Sequence, residues 1–260
     1  MHLKISRVED ILCRHEFDML ISLGDWFDDF NDTVEDNADT AKFILQLYKD
    51  FGDKFIWLLG NHDIPYVYPE VSRIYWCSGN TTEKAKAITK VFNRKLNKAL
   101  LKLAYIVKLK KHNPIVFSHA GIHIAQFKEN LYLAGVPDIT TDKISLRCER
   151  ALINCELGTP DVFLSAGPAR YGYAPVGGIT WLDWNMEFTP VKGISQIVGH
   201  TPNIRPTMTD GESDIDAIEE LAEKTKHVLE TKKCYNINID THLNHYAILD
   251  SDELTVYRYK

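Results

Sequence analysis

Apolar residues along the chain gather into four short runs set between longer amphipathic stretches. The runs at 17–23, 54–59, 115–117 and 194–198 each close on glycine or on a small polar cluster. Short apolar runs ended in this way suit buried strands of a parallel sheet. Elsewhere the spacing turns helical. Residues 6–15 place Val8, Ile11 and Leu12 on one side, and residues 38–50 do the same with Phe43, Ile44, Leu47 and Tyr48. The stretch 81–104 predicts one long amphipathic helix. Ile88, Val91, Phe92, Leu96, Ala99 and Leu103 lie on its apolar side, and Lys90, Arg94, Lys98 and Lys102 on the other. Residues 122–190 are rich in Pro, Gly and Trp and read as loops and short helices, a cap-like insert. An acidic helix is expected over 213–230. The segments 235–239, 245–249 and 254–257 alternate in the manner of hairpin strands. No linker separates two cores, so residues 1–260 read as a single domain.

Composition narrows the classes. The 260 residues are 45% hydrophobic and 25% charged, the balance of a folded soluble domain rather than of a disordered or fibrous chain. No run of about 18 apolar residues is present, so no transmembrane helix is expected. The opening residues lack the apolar core of a signal peptide, and a cytoplasmic location is the expectation. A net charge of −6 argues against a globally basic nucleic-acid binder. That figure hides an asymmetry: Lys84–Lys111 holds ten Lys or Arg and no acid, which leaves −16 on the rest. Without aromatic residues interleaved on its polar side, the basic segment reads as a solvated helix face. The five cysteines are odd in number and include no CxxC pair, as expected of reduced thiols.

The candidate chemistry sits where the apolar runs stop. They end in Gly24-Asp25, Gly60-Asn61-His62-Asp63, Ser118-His119-Ala120-Gly121 and Gly199-His200-Thr201-Pro202. Ligands of open α/β sheets collect beyond the carboxyl ends of the strands. A carboxylate, an amide oxygen and two imidazoles gathered there suit a divalent transition metal. The adjoining glycines permit sharp turns and close approach of backbone to a ligand. Any one of these clusters is ordinary turn chemistry; the four together are not.

In order and spacing these motifs, with Asp28 after Gly24-Asp25 and with Asn238-Ile239-Asp240-Thr241 and Ala247-Ile248-Leu249-Asp250 near the end, resemble the calcineurin-like metallophosphoesterases. The likeness is to the branch of protein phosphatases and diadenosine tetraphosphatases. It implies an α/β sandwich of two mixed β-sheets flanked by helices. It implies a metal-dependent phosphoesterase with divalent Mn, Fe or Zn, acting on a phosphoprotein, a nucleotide or a small phosphate ester. By that resemblance Asp25 bridges two metals, and Asn61, His119 and His200 complete one of them. A hydroxide activated by the metals attacks phosphorus in line, without a phosphoenzyme. His62 protonates the leaving oxygen, oriented by Asp63.

The pattern also breaks. The family's first motif, Asp-x-His, supplies the second metal and precedes the first helix; no such motif precedes residues 6–15, as if the sequence began one strand late. The second metal site is therefore expected to be weak. Asp29 stands where the family often has Arg, Asp183 stands two residues after Trp181 where a phosphate-gripping Arg is usual, and His242 replaces a Gly. Carboxylates at those positions would repel phosphate, and Arg147, Arg150, Arg170 and Arg205 are the candidates to compensate. Two alternatives follow: a non-catalytic relative that binds a phosphorylated partner, and a nuclease on the same fold. Trp181, Trp184, Tyr171 and Tyr173 either line the substrate cleft or form a satellite core.

Overall fold

The computed structural model describes residues 3–29, 31–128, 138–209, 216–217, 224–230 and 233–259. It is a mixed α/β fold with sheets of two, three and six strands, in agreement with the expected class. The chain divides into two units, Met1–Lys102 with Leu152–Pro160, and Leu103–Ala151 with Asp161–Lys260. No described helix is long and apolar enough to cross a membrane.

The first unit opens with helix α1 (Leu3–Arg14), then strand β1 (Leu20–Ser22), helix α2 (Val34–Phe51), strand β2 (Phe55–Trp57), and helices α3 (Ile64–Val67) and α4 (Thr82–Phe92). The two strands run parallel, with Leu20 opposite Phe55 and Ser22 opposite Trp57. Parallel pairing makes both strands end on the same side, which brings the loops after Ser22 and Trp57 together. Helix α2 starts at a capping box in which the Thr33 hydroxyl accepts from Asp36 N and the Asp36 carboxylate accepts from Thr33 N. It buries Ala41, Ile44 and Leu47. Phe27 packs edge-on against Trp57, Tyr66 and Phe92 at centroid distances of 6.3, 5.3 and 6.1 Å, so an aromatic core underlies both loops.

The long helix expected over 81–104 is corrected. Helix α4 ends at Phe92, because Asn93 and Arg94 turn to φ of 3° and 61°, outside right-handed helix. Ile88 and Phe92 are buried as the periodicity predicts. Beyond them Leu103 is buried from a different element, and Leu59 N donates to Lys102 O at 2.8 Å. Apolar spacing registers burial, but it does not register which element does the burying.

In the second unit come β3 (Ala104–Val107), β4 (Ile115–Ser118), the start of α5 (Thr141–Glu156), β5 (Ser195–Val198), β6 (Thr207–Thr209), β7 (Asp216–Ala217), β8 (Lys224–Val228), β9 (Asn236–Asn238), β10 (His245–Asp250) and β11 (Glu253–Arg258). The six-stranded sheet has the order β3-β4-β5-β9-β6-β7, with β4, β5 and β9 mutually parallel. The other is an antiparallel sheet in the order β10-β11-β8. The expected β10–β11 hairpin is present, whereas 236–238 joins the large sheet beside β5.

The acidic helix expected over 213–230 is also corrected. Residues 224–228 form a strand, with Thr225 opposite Val256 on β11; residues 210–215 and 218–223 lie outside the described ones. An exposed edge of β11 offers that run a ladder of backbone partners, and pairing of this kind overrides local composition. Within the insert, 141–156 is one sixteen-residue helix rather than several short ones. Ala120, Leu182, Trp184, Phe188 and Val198 form the core beneath the ends of β4 and β5.

Candidate functional site

Asp63 organises the first unit's loops. Its fully buried carboxylate accepts from Asp25 N at 2.8 Å, Trp26 N at 2.9 Å, Gly60 N at 2.9 Å and the Trp57 indole at 3.2 Å. One side chain thus ties the loop after β1 to the loop after β2. Asp25 is held at φ 55°, a left-handed conformation that costs on the order of 1–3 kcal/mol and persists where surrounding structure enforces it. Its Oδ1 accepts from His62 N at 3.0 Å. A Cβ at Gly60 would fall on the Asp25 carboxylate, so only glycine lets Asp25 lie against that turn. Asn61 is buried, and its amide nitrogen faces Cys77 Sγ at 3.6 Å, which sets Oδ1 on the opposite side of the amide. Burial pushes the Cys77 thiol up to about 12, with Asn61 countering and Asp25, Asp28 and Asp63 adding to the rise. It is a neutral thiol that donates to Asn61 O.

The His62 ring meets Asp28, the last residue of the motif that begins at Gly24. His62 Nδ1 stands 3.4 Å from Asp28 Oδ2, a long contact, and since a carboxylate only accepts, Nδ1 is the donor. Asp28 has no exposed side-chain surface. Tyr66 OH donates to its Oδ1 at 2.8 Å, Lys84 Nζ to the same oxygen at 3.0 Å, and Asn80 Nδ2 to Oδ2. Burial works to raise the Asp28 pKa, but His62, Tyr66 and Lys84 outweigh it and hold the carboxyl below its ordinary range. For His62 burial works downward, and Asp28, Asp25 and Asp63 together carry the pKa above its ordinary value. Lys84 is a buried lysine inside the basic segment that reads as a solvated face.

His119 and His200, just beyond the ends of β4 and β5, come together in the second unit. His119 Nε2 and His200 Nδ1 are 3.1 Å apart, with His119 2% and His200 9% exposed. Gly199 N donates to His119 O at 2.7 Å, which couples the two strand ends. Thr201 N returns to Gly199 O at 2.9 Å, so His200 is the centre of a three-residue turn at φ 69°, another strained conformation. Trp181 lies edge-on to the His200 ring at 5.6 Å, while Trp184 is buried in the core and Tyr171 and Tyr173 are exposed. The four aromatics therefore divide among core, site and solvent.

Asp183 is not aimed at an incoming anion. Its Oδ1 accepts from Asn185 N and Met186 N, and its Oδ2 pairs with Arg170 Nε at 2.8 Å. Arg170 also donates to Thr201 Oγ1, next in chain to His200. The loop that carries Arg170 is pinned by Glu187, whose carboxylate accepts from Ala169 N, Gly177 N and Asp183 N. Of the other candidates, Arg147 is committed to Asp161 through both nitrogens and lies over the Phe163 ring. His242 is exposed.

The histidine pair fits a metal. Two imidazole nitrogens each about 2.0–2.1 Å from one zinc ion stand roughly 2.9–3.4 Å apart, which spans the 3.1 Å observed. In the first unit, Asp25 and Asn61 offer oxygen donors of the kind that borderline divalent ions also accept. Residues 4–204 match the profile of the calcineurin-like phosphoesterases. A search of curated proteins found no match. Solved structures similar to the chain include a cold-active protein-tyrosine phosphatase of a psychrophilic Shewanella sp., at 17% identity and TM-score 0.41, covering 86% of this chain and 60% of that one. A mutant of a cold-active protein tyrosine phosphatase matches at 17% identity and TM-score 0.45, covering 90% and 65%. The chain thus spans about three fifths of the length of these structures. With four strand-end motifs in place and a profile match over most of its length, the chain belongs to the calcineurin-like phosphoesterase family, whose members are metal-dependent hydrolases of phosphate esters.

Proposed function

We propose that this protein hydrolyses phosphate esters with divalent metal, Mn, Fe or Zn, held by Asp25, Asn61, His119 and His200. The observation that supports this most directly is the His62 ring seated on a buried carboxylate, with its backbone donating to Asp25. When bound, the metal supplies Lewis-acid chemistry: it lowers the pKa of water and neutralises charge on the phosphoryl group. The residues supply the rest. Asp28 accepts from His62 Nδ1, so the proton that moves is the one on Nε2, and it goes to the leaving oxygen as the ester bond breaks. The raised pKa of His62 keeps a protonated fraction ready near neutral pH. Asp63 acts on this chemistry by holding the Asp25 and Gly60 loops together.

Arg170 is the guanidinium we assign to the phosphoryl oxygens. Asp183 and Thr201 use two edges of its five-donor fork and orient what remains. The charge at Asp183, which would repel a phosphate if unpaired, is thereby compensated from within the fold. That pairing removes one of the grounds for a purely binding role. The substrate is a phosphorylated molecule with an accessible ester, whether phosphoprotein, nucleotide or small metabolite.

The test is hydrolysis of phenyl phosphate, whose leaving oxygen needs a proton, by purified protein with Mn²⁺, side by side with the His62→Ala variant. Metal-dependent turnover that drops on the order of 10²-fold or more in the variant is expected. Equal rates from the two proteins would sink the assignment.

A further inference from the structure

The Asp28 carboxylate raises a question of charge. It is wholly withdrawn from solvent, and a buried carboxylate is tolerated only when it is paired and its oxygens are hydrogen-bonded. Its link to His62 is a long one, 3.4 Å. The closer basic partner is Lys84, whose Nζ lies 3.0 Å from Oδ1. This lysine is itself buried, and a second bond to Gly79 O at 3.0 Å fixes its head. Thr81, the N-cap of α4, accepts from Lys84 N, so the lysine stands on the first turn of that helix at a defined height. Tyr66 and Asn80 close on Asp28 from α3 and from the loop before α4. Asp28 is moreover at φ 63°, and a Cβ at Gly79 would meet Asp28 Cβ at 3.0 Å, so backbone and side chain are confined together.

We propose that Lys84, with Tyr66 and Asn80, is a positioning residue of the reaction. It anchors Asp28 at one angle, and Asp28 in turn fixes the orientation of the His62 ring, with Nδ1–H toward Asp28 and Nε2 turned away from it. Three donors converge on a side chain that itself needs a single orientation, and supporting groups of this kind hold a reacting ring to geometric tolerance. Lys84 never meets substrate. Its effect passes through the ring, so it shows in the step that needs a proton and not in substrate binding. This inference rests on the reading of His62 as the proton donor.

The experiment has two arms. The first is ¹⁵N NMR of histidine-labelled protein, followed upward in pH until the His62 ring signals stop shifting, with His62→Ala to assign the signal. Wild type should show the Nδ1–H tautomer, and Lys84→Met a mixture of the two. Tyr66→Phe, which removes one donor and keeps the ring, should shift the balance in the same direction and serves if Lys84→Met does not fold. An unchanged tautomer in the folded variants overturns the proposal. The second arm compares phenyl phosphate, a poor leaving group, with 4-nitrophenyl phosphate, which departs without a proton. Lys84→Met should lose about tenfold or more in kcat on the first and no more than about threefold on the second, with KM unchanged. A uniform loss on both substrates, or a loss confined to KM, also overturns it. If wild type turns over neither ester, the function assigned above fails, while the tautomer still decides the role of Lys84.

Discussion

At the scale of single residues the site is built from conformations that sequence spacing cannot express. Asp25, Asp28 and His200 all lie at positive φ, and each is enforced by neighbours far away in the chain. Gly60 shows how narrow the tolerance is. Because its missing Cβ leaves room for the Asp25 carboxylate, Gly60→Ala should displace Asp25. The variant should lose metal affinity by at least about tenfold, the usual scale for a disturbed ligand set, measurable by titration with Mn²⁺. Arg170 carries a different expectation. Arg170→Ala would remove the proposed contact to the phosphoryl group, so kcat/KM should fall by about 10–100-fold, equivalent to a charge-assisted hydrogen bond of about 1.5–3 kcal/mol. Inorganic phosphate should also inhibit the variant more weakly; inhibition of unchanged strength would exclude Arg170 from the phosphate site. Asp25, Asn61, His62, Asp63, His119 and His200 stand out in the sequence because each lies just past an apolar run. Asp28 stands there only within a motif, Arg170 only as one of four candidates and Lys84 only inside the basic segment, since what marks their roles is a partner 34, 13 and 56 positions away.

The elements show the same division. Strands β1, β2, β4 and β5 coincide with the four apolar runs, β4 to within one residue, and β2, β4 and β5 are buried throughout, where a strand needs little beyond continuous hydrophobicity. Helices α1 and α2 followed their periodicity, but α4 was overextended and β8 was taken for helix. In both cases the local pattern was ambiguous and the tertiary partner decided. The short 3₁₀ helix at 124–127 offers a test of local electrostatics. His123 caps it, its Nδ1 accepting from Ala125 N at 3.0 Å, and Gln126 reaches Gly177 O. That bond requires an unprotonated Nδ1. Burial depresses the His123 pKa from 6.5, with Glu187 opposing and Lys128 assisting. A depressed pKa means that the unfolded chain takes up the proton first. The cap's contribution is therefore complete above pH 6.5 and is lost as pH falls through the folded value. His123→Asn keeps an acceptor that does not titrate. Urea unfolding between pH 7.5 and 5 should show a shallower pH dependence for the variant, and parallel curves would contradict the assignment.

Over the whole molecule, metal and stability are linked. A ligand that binds only the folded chain stabilises it by about 2.7 kcal/mol at a concentration 100 times its dissociation constant. Added Mn²⁺ should raise the thermal midpoint of wild type, with little effect on Asp25→Asn, which lacks one carboxylate charge; equal shifts would place the ion elsewhere. The charge asymmetry also acquires a structural meaning. The basic segment is not uniformly a solvated face: Lys84 turns inward to Asp28, and Lys98 lies over the Tyr68 ring at 4.6 Å and near Glu70. By itself the sequence determined the α/β class, the strand ends and the residue types gathered there, because burial and metal chemistry both write themselves into short, local patterns. Only the tertiary structure decided where α4 stops, that 224–228 is a strand, and which charges pair. Those outcomes depend on groups distant in sequence competing for the same buried hydrogen bonds, and a linear pattern holds no record of that competition.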